Sequence, residues 1–192
     1  MEPMLSPVTD KQTIPEIVSM VTVAYLGGSL DLEALVKHLG HFVYEPDQFP
    51  AAFYSFKQPN ITFAIFSSGK VMSYGGKKLE HVRTSFSILV SELGPMNLQK
   101  NKIVKPRVCM MVAKADFGRT IDIEELPTRL RNCVYEPDQF PGLIWRLPDK
   151  VVVLLFSSGK CVITGAKSHQ MLQKAYREVT SQIFSYSEIG ER

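Results

Sequence analysis

The octapeptide VYEPDQFP at residues 43–50 recurs letter for letter at residues 134–141. An identity of that length at a spacing of about ninety residues is the mark of a duplicated structural unit. The same spacing relates Leu30-Asp31-Leu32 to Ile121-Asp122-Ile123, and FSSGK at Phe66–Lys70 to FSSGK at Phe156–Lys160. The chain therefore has to fold as two copies of one module. The expected division is an N-terminal extension over 1–15, a first repeat over 16–98, and a second repeat over 99–192 that ends in a short tail.

Each copy opens with an apolar strand, about Ile17 to Leu26 and about Val108 to Ala115. A short helix follows, opened by Asp31 or Asp122, since an acidic residue suits a helix start. After the turn-rich EPDQFP come two runs of β-branched and aromatic residues, Phe53 to Phe56 with Ile61 to Phe66, and Leu143 to Leu147 with Val151 to Phe156. Each pair is separated by a proline-containing turn and reads as a hairpin. A short strand follows SSGK, and then a longer helix with apolar residues at helical spacing: Val82, Phe86, Leu89 and Val90, or Leu172, Ala175, Val179 and Ile183.

Each module thus reads as strand, helix, four strands, helix. The fold class is α+β, with eight to ten strands in one curved antiparallel sheet and four helices over its convex side. One face of such a sheet is left uncovered, and function is sought there.

Hydrophobic residues make up 45% of the 192 positions, enough for a sizeable core. Twenty-two Lys and Arg against 19 Asp and Glu give a net charge of +3, too slight a bias to announce nucleic acid. Cys109, Cys133 and Cys161 are odd in number with no CxxC pair, which points to a reducing, intracellular compartment. No apolar stretch approaches the roughly 18 residues of a membrane span.

Catalysis finds little support. His38 and His41 lie three apart, His81 and His169 stand alone, and no Cys/His group has zinc spacing. GGKK and SSGK complete neither GxxxxGK[ST] nor GxGxxG. No catalytic residue, cofactor or metal is expected.

EPDQFPGLIW, VVVLLFSSGK and VITGAK resemble the second repeat of the TATA-box-binding protein family, and the segments at Glu45, Ile61 and Tyr74 resemble the first. The likeness runs from about Glu16 to about Ser185. It implies a saddle that binds double-stranded promoter DNA in the minor groove and kinks it with apolar wedges, a property taken over from the family. Transcription factor B, RNA polymerase and other general transcription factors are the implied partners, with self-association through the uncovered face when DNA is absent. EPDQFP in both repeats is more like archaeal members, hence a cytoplasmic nucleoid location, with a nucleus as the alternative.

By resemblance, the wedges are Phe49 with Phe66 and Phe140 with Phe156. Strand alternation and resemblance together assign the groove floor to Ser19, Val21, Thr62, Ala64, Met72 and Tyr74 in the first repeat. Cys109, Met111, Val152, Leu154, Val162 and Thr164 are their counterparts in the second. Phosphate-facing residues are Ser68, Lys70, Lys77, Arg146, Ser158, Lys160 and Lys167. Glu136, Asp138 and Gln139 match the stirrup that meets transcription factor B, and Lys77, Lys78, His81 and Arg83 form a basic helix surface.

The family pattern is broken at its polar centre. Ser19 and Cys109 align where the family has asparagines, Tyr74 where it has a threonine, and Ser55 where it has an arginine. These changes imply less sharp discrimination of TATA sequences, or a diverged paralogue acting mainly through proteins.

Overall fold

The computed structural model describes residues 15–96, 98 and 102–184. Nearly all of the expected N-terminal extension, and the tail from 185 onward, lie outside the described residues. The first repeat comprises β1 (Glu16–Tyr25), α1 (Leu32–His38), β2 (Val43–Tyr44), β3 (Ala51–Phe56), β4 (Ile61–Phe66), β5 (Lys70–Gly75) and α2 (Leu79–Glu92). The second comprises β6 (Val104–Asp116), α3 (Leu126–Arg129), β7 (Cys133–Val134), β8 (Leu143–Arg146), β9 (Val152–Leu155), β10 (Lys160–Ala166) and α4 (His169–Phe184). All the strands form one 10-stranded antiparallel sheet in the order β2-β3-β4-β5-β1-β6-β10-β9-β8-β7. The order is symmetric about its centre, where β1 and β6 pair with Met20 opposite Met111.

Side chains alternate along each strand, so one face can be apolar and covered while the other is not. In β1, Met20, Thr22 and Ala24 are buried while Val21, Val23 and Tyr25 are not. In β9, Val153 and Leu155 are buried and Val152 and Leu154 only partly so. α2 covers the first repeat with Val82, Phe86 and Leu89, and α4 the second with Leu172, Ala175, Val179 and Ile183. The result is two separate cores under one sheet, one around Phe63 and Leu35 and one around Trp145 and Ile163. Each fully buried large side chain contributes roughly 1.5–3 kcal/mol.

The expected helix at Asp31 is present, with the Asp31 carboxylate accepting from the Ala34 N–H at 3.0 Å. Its counterpart is corrected. Asp122 accepts from the Glu124 and Glu125 N–H groups at 3.1 and 3.4 Å, yet α3 begins only at Leu126 and lasts four residues. Pro127 explains this, because a helix started at Asp122 would need its missing N–H and would clash with the Ile123 carbonyl.

The glycine of each SSGK turn is required. Gly69 and Gly159 both adopt φ +82°, and a side chain on either would collide with the carbonyl oxygen of Gly28 or Arg119. These contacts bind the turn at each end of the sheet to the loop that leaves the central strand, which fixes the outer ends of the uncovered face.

Candidate nucleic-acid interface

Two rows of side chains cross the uncovered face, one on each side of its centre. One runs Ser55, Thr62, Tyr74, Val21, Met110 through the register of β3, β4, β5, β1 and β6. The other runs Arg146, Val152, Thr164, Val112, Ser19 through β8, β9, β10, β6 and β1. The two rows therefore mix four apolar side chains, Val21, Met110, Val152 and Val112, with five hydroxyls and Arg146. Ser55 and Thr62 hydrogen-bond to each other at 2.9 Å, and the Thr164 hydroxyl donates to the Met110 sulfur at 3.5 Å.

That last contact corrects two floor residues. Met111 is 3% exposed, sits opposite buried Met20, and points to the helix-covered side. Cys109 lies at a bulge, where the register steps from Val21↔Met110 to Thr22↔Val108 and leaves it without a partner position on β1. A strand reverses its faces with every residue, so a one-residue error moves the whole set. Met110 and Val112 face the open side instead, and Met110 holds the place in the second repeat that Ser19 holds in the first. Ala64 needs a smaller correction: it lies on this face but is fully covered by Phe53 and Met72 on the flanking strands, and offers no surface.

The expected wedge residues come together as two matched pairs. Phe49 and Phe66 have ring centroids 6.0 Å apart at 59°, and Phe140 and Phe156 lie 5.8 Å apart at 60°. Each EPDQFP turn delivers its phenylalanine the same way, with the Phe49 N–H donating to the Glu45 carbonyl and the Phe140 N–H to Glu136. Gly142 leaves room for the second pair, since a Cβ there would stand 2.8 Å from the Phe140 ring and 2.9 Å from Phe156. Phe49 is 41% exposed, a large apolar surface to leave in water. Phe53, which sequence reasoning left out of the site, stands 5.5 Å from Phe49 and enlarges the first pair into a cluster.

Cations rim this face. Lys70, Lys160, Lys167 and Arg146 are exposed, as are Ser68 and Ser158 in the SSGK turns. The Lys70 ammonium lies 5.8 Å from the Phe66 ring. Lys77 is not free: it donates to the Glu16 carboxylate at 2.7 Å, and Lys114 pairs with the same carboxylate at 3.1 Å. Lys77 first and then Lys114 hold the Glu16 carboxyl below the usual carboxylate range. Glu136, Asp138 and Gln139 are all exposed on the second EPDQFP turn.

Two of the four histidines weighed for catalysis have structural partners. The His38 ring bonds the Ala34 carbonyl at 2.9 Å, while His41 bonds Glu92 at 3.1 Å. Glu92 also accepts from the Tyr54 hydroxyl at 3.1 Å, and partial burial followed by this carboxylate pushes the Tyr54 phenol up. Burial pushes the Cys161 thiol up to about 11, which keeps it a thiol. Among the described residues no group of three or more His, Cys, Asp or Glu could hold a metal ion, and no helix is long and apolar enough to cross a membrane.

A two-repeat sheet with one face under helices, and with paired aromatics at both ends of the other, defines the class of protein. The family described as "Transcription factor TFIID (or TATA-binding protein, TBP)" matches residues 14–95 and again 105–186. The TATA-box-binding protein of Methanocaldococcus jannaschii is 35% identical over 91% of this chain and 96% of its own length. That of Methanothermobacter thermautotrophicus is 38% identical over 80% of this chain and 85% of its own. A solved structure, "Methanococcus jannaschii TBP", superposes with a TM-score of 0.81 at 35% identity, over 89% of this chain and 98% of that one. The chain belongs to the TATA-box-binding protein family.

Proposed function

We propose that this chain is a transcription initiation factor that binds double-stranded promoter DNA in the minor groove through its uncovered face, bends it, and marks the site for transcription factor B and RNA polymerase. The observation that carries the reading is the pair of matched aromatic clusters, Phe49/Phe66 and Phe140/Phe156, at opposite ends of the uncovered face. The minor groove presents few distinguishing hydrogen-bonding groups, so a protein that uses it relies on shape, apolar contact and the ease with which a sequence deforms. Side chains inserted between base steps open them and bend the duplex. Ser68, Lys70, Arg146, Ser158, Lys160 and Lys167 are placed to meet phosphates, with Lys77 once it leaves Glu16.

The two rows hold hydroxyls and one arginine but no side-chain amide to reach a base edge, and Tyr74 stands where the other row has the smaller Thr164, so the wedges and the deformability of the sequence carry most of the selectivity. The exposed Glu136, Asp138 and Gln139 form the acidic surface for transcription factor B. A second reading rests on Tyr74, which is 39% exposed near the centre and bulkier than the Thr164 of the other row. On that reading the face accepts a protein instead of a duplex.

The test is equilibrium binding of a TATA duplex and a scrambled duplex across a salt series, with and without transcription factor B. Preference for the TATA duplex, affinity that falls with salt, and a ternary complex lost on Glu136→Lys/Asp138→Lys are expected. No duplex binding at low salt, with or without the partner, would leave the protein-docking reading.

A further inference from the structure

Glu16 is an exposed acidic side chain bonded to two cations, Lys77 and Lys114, at the uncovered face. It opens β1 opposite Lys114 of β6. Gly75 and Gly76, at φ +94° and +72°, turn the chain after β5 so that Lys77 comes back over the start of β1. One carboxylate oxygen takes the Lys77 ammonium at 2.7 Å and the other takes Lys114 at 3.1 Å. The three side chains are 50–61% exposed, so these pairs contribute little to stability. Glu16 and Lys114 line the same depression of the uncovered face as Phe156, Lys160 and Val162.

The second repeat shows what the position tolerates. The spacing that takes Leu30 to Ile121 takes Glu16 to Arg107, and Lys77 has its counterpart in Lys167. Both are exposed cations. The equivalent position, inside β6 and opposite Val23 instead of a lysine, thus carries the opposite charge, which argues that the charge at Glu16 answers to the lysines of the surface and not to the strand itself.

We infer that Glu16 is an internal stand-in for a phosphate: it occupies Lys77 and Lys114 in the free protein and restrains binding to duplexes of any sequence. The inference rests on the reading that this face takes DNA. A carboxylate bridging two ammonium groups has the charge and acceptor geometry of a phosphate oxygen pair, and DNA must displace it before either lysine can serve. Electrostatic affinity is indifferent to sequence, so lowering it on one side leaves the shape-dependent part to dominate.

The test is binding of TATA and scrambled duplexes by the full chain, by Glu16→Gln and by Glu16→Arg, over a salt series. Each phosphate newly neutralised steepens the fall of log K with log salt by about 0.9. For Glu16→Gln the slope should steepen by about 1 to 2, and scrambled-duplex affinity at low salt should rise about tenfold, more than for TATA. Glu16→Arg, which copies Arg107 and adds a charge of its own, should go further, and the gain of Glu16→Gln should vanish in a Lys77→Gln/Lys114→Gln background. Equal affinities and slopes for the three proteins, or a Glu16→Gln gain that survives loss of both lysines, would overturn the inference while the duplex reading stood. Failure of all of them to bind any duplex would overturn both.

Discussion

On the covered side of the first repeat, Thr22 and Ser73 face each other across β1 and β5, buried and hydrogen-bonded at 2.7 Å. The same two places in the second repeat are taken by Ala113 and Ile163, paired across β6 and β10. On the open side, Phe53 against Ala64 is answered by Ile144 against Leu154, a large-small pair answered by two of middle size. Ser55 and Tyr74 are answered by Arg146 and Thr164. The covered side changes chemistry while keeping its volume filled, as close packing demands. The open side changes bulk and charge, because no helix constrains it, so under the proposed function the halves of the floor present different surfaces to a duplex.

The largest effect that sharpens this comparison concerns the cores. Phe63 is fully buried against Phe56 and Phe86, whereas its counterpart is Val153. Phe63→Ala should cost about 3–5 kcal/mol in denaturant unfolding, and Val153→Ala clearly less. Equal costs would mean that the difference in bulk between Phe63 and Val153 does not set what each contributes to its core.

The wedges come next. Phe156→Ala should weaken duplex binding on the order of a hundredfold, about 3 kcal/mol for a large apolar side chain that no longer loses water. Phe66→Ala should cost less, because Phe53 still backs Phe49. A larger loss at Phe66 in equilibrium titration would reverse the assignment of the stronger end.

A smaller effect tests the buried hydroxyls. Thr22→Val or Ser73→Ala leaves one hydroxyl without its partner and should destabilise by about 1–3 kcal/mol. Thr22→Ala with Ser73→Ile copies the second repeat and should recover much of that loss. Additive single costs in chemical denaturation would contradict the equivalence of the two sites. The smallest effect is at the floor: Tyr74→Thr, which copies Thr164, should change the TATA-to-scrambled affinity ratio only a few-fold, with unfolding unchanged.

The architecture was legible because the duplication halves the problem and both copies carry the same turn residues. The phase of β1 came from the resemblance, since Ser19 and Thr22 put a polar residue on each face of the strand. The phase of β6 was not legible: Val108 to Ala113 is apolar or sulfur-bearing throughout, so a period of two had no polar residue to lock on to, and the bulge at Cys109 is invisible in sequence. The repeat spacing carried from Ser19 and Val21 to Met110 and Val112 was the signal that resolves it. The shortness of α3 was written in Pro127. The Glu16–Lys77 pair spans 61 positions and depends on a glycine turn, so no local pattern announces it.

The central claim is that four phenylalanines at the ends of one face bend a duplex from its minor groove. The most direct measurement is energy transfer between dyes on the two ends of a short TATA duplex, at saturating protein. The account predicts a marked rise in transfer with the native chain, and little or none with Phe66→Ala/Phe156→Ala at concentrations where that variant is still bound. Saturated binding with transfer unchanged from the free duplex would contradict it.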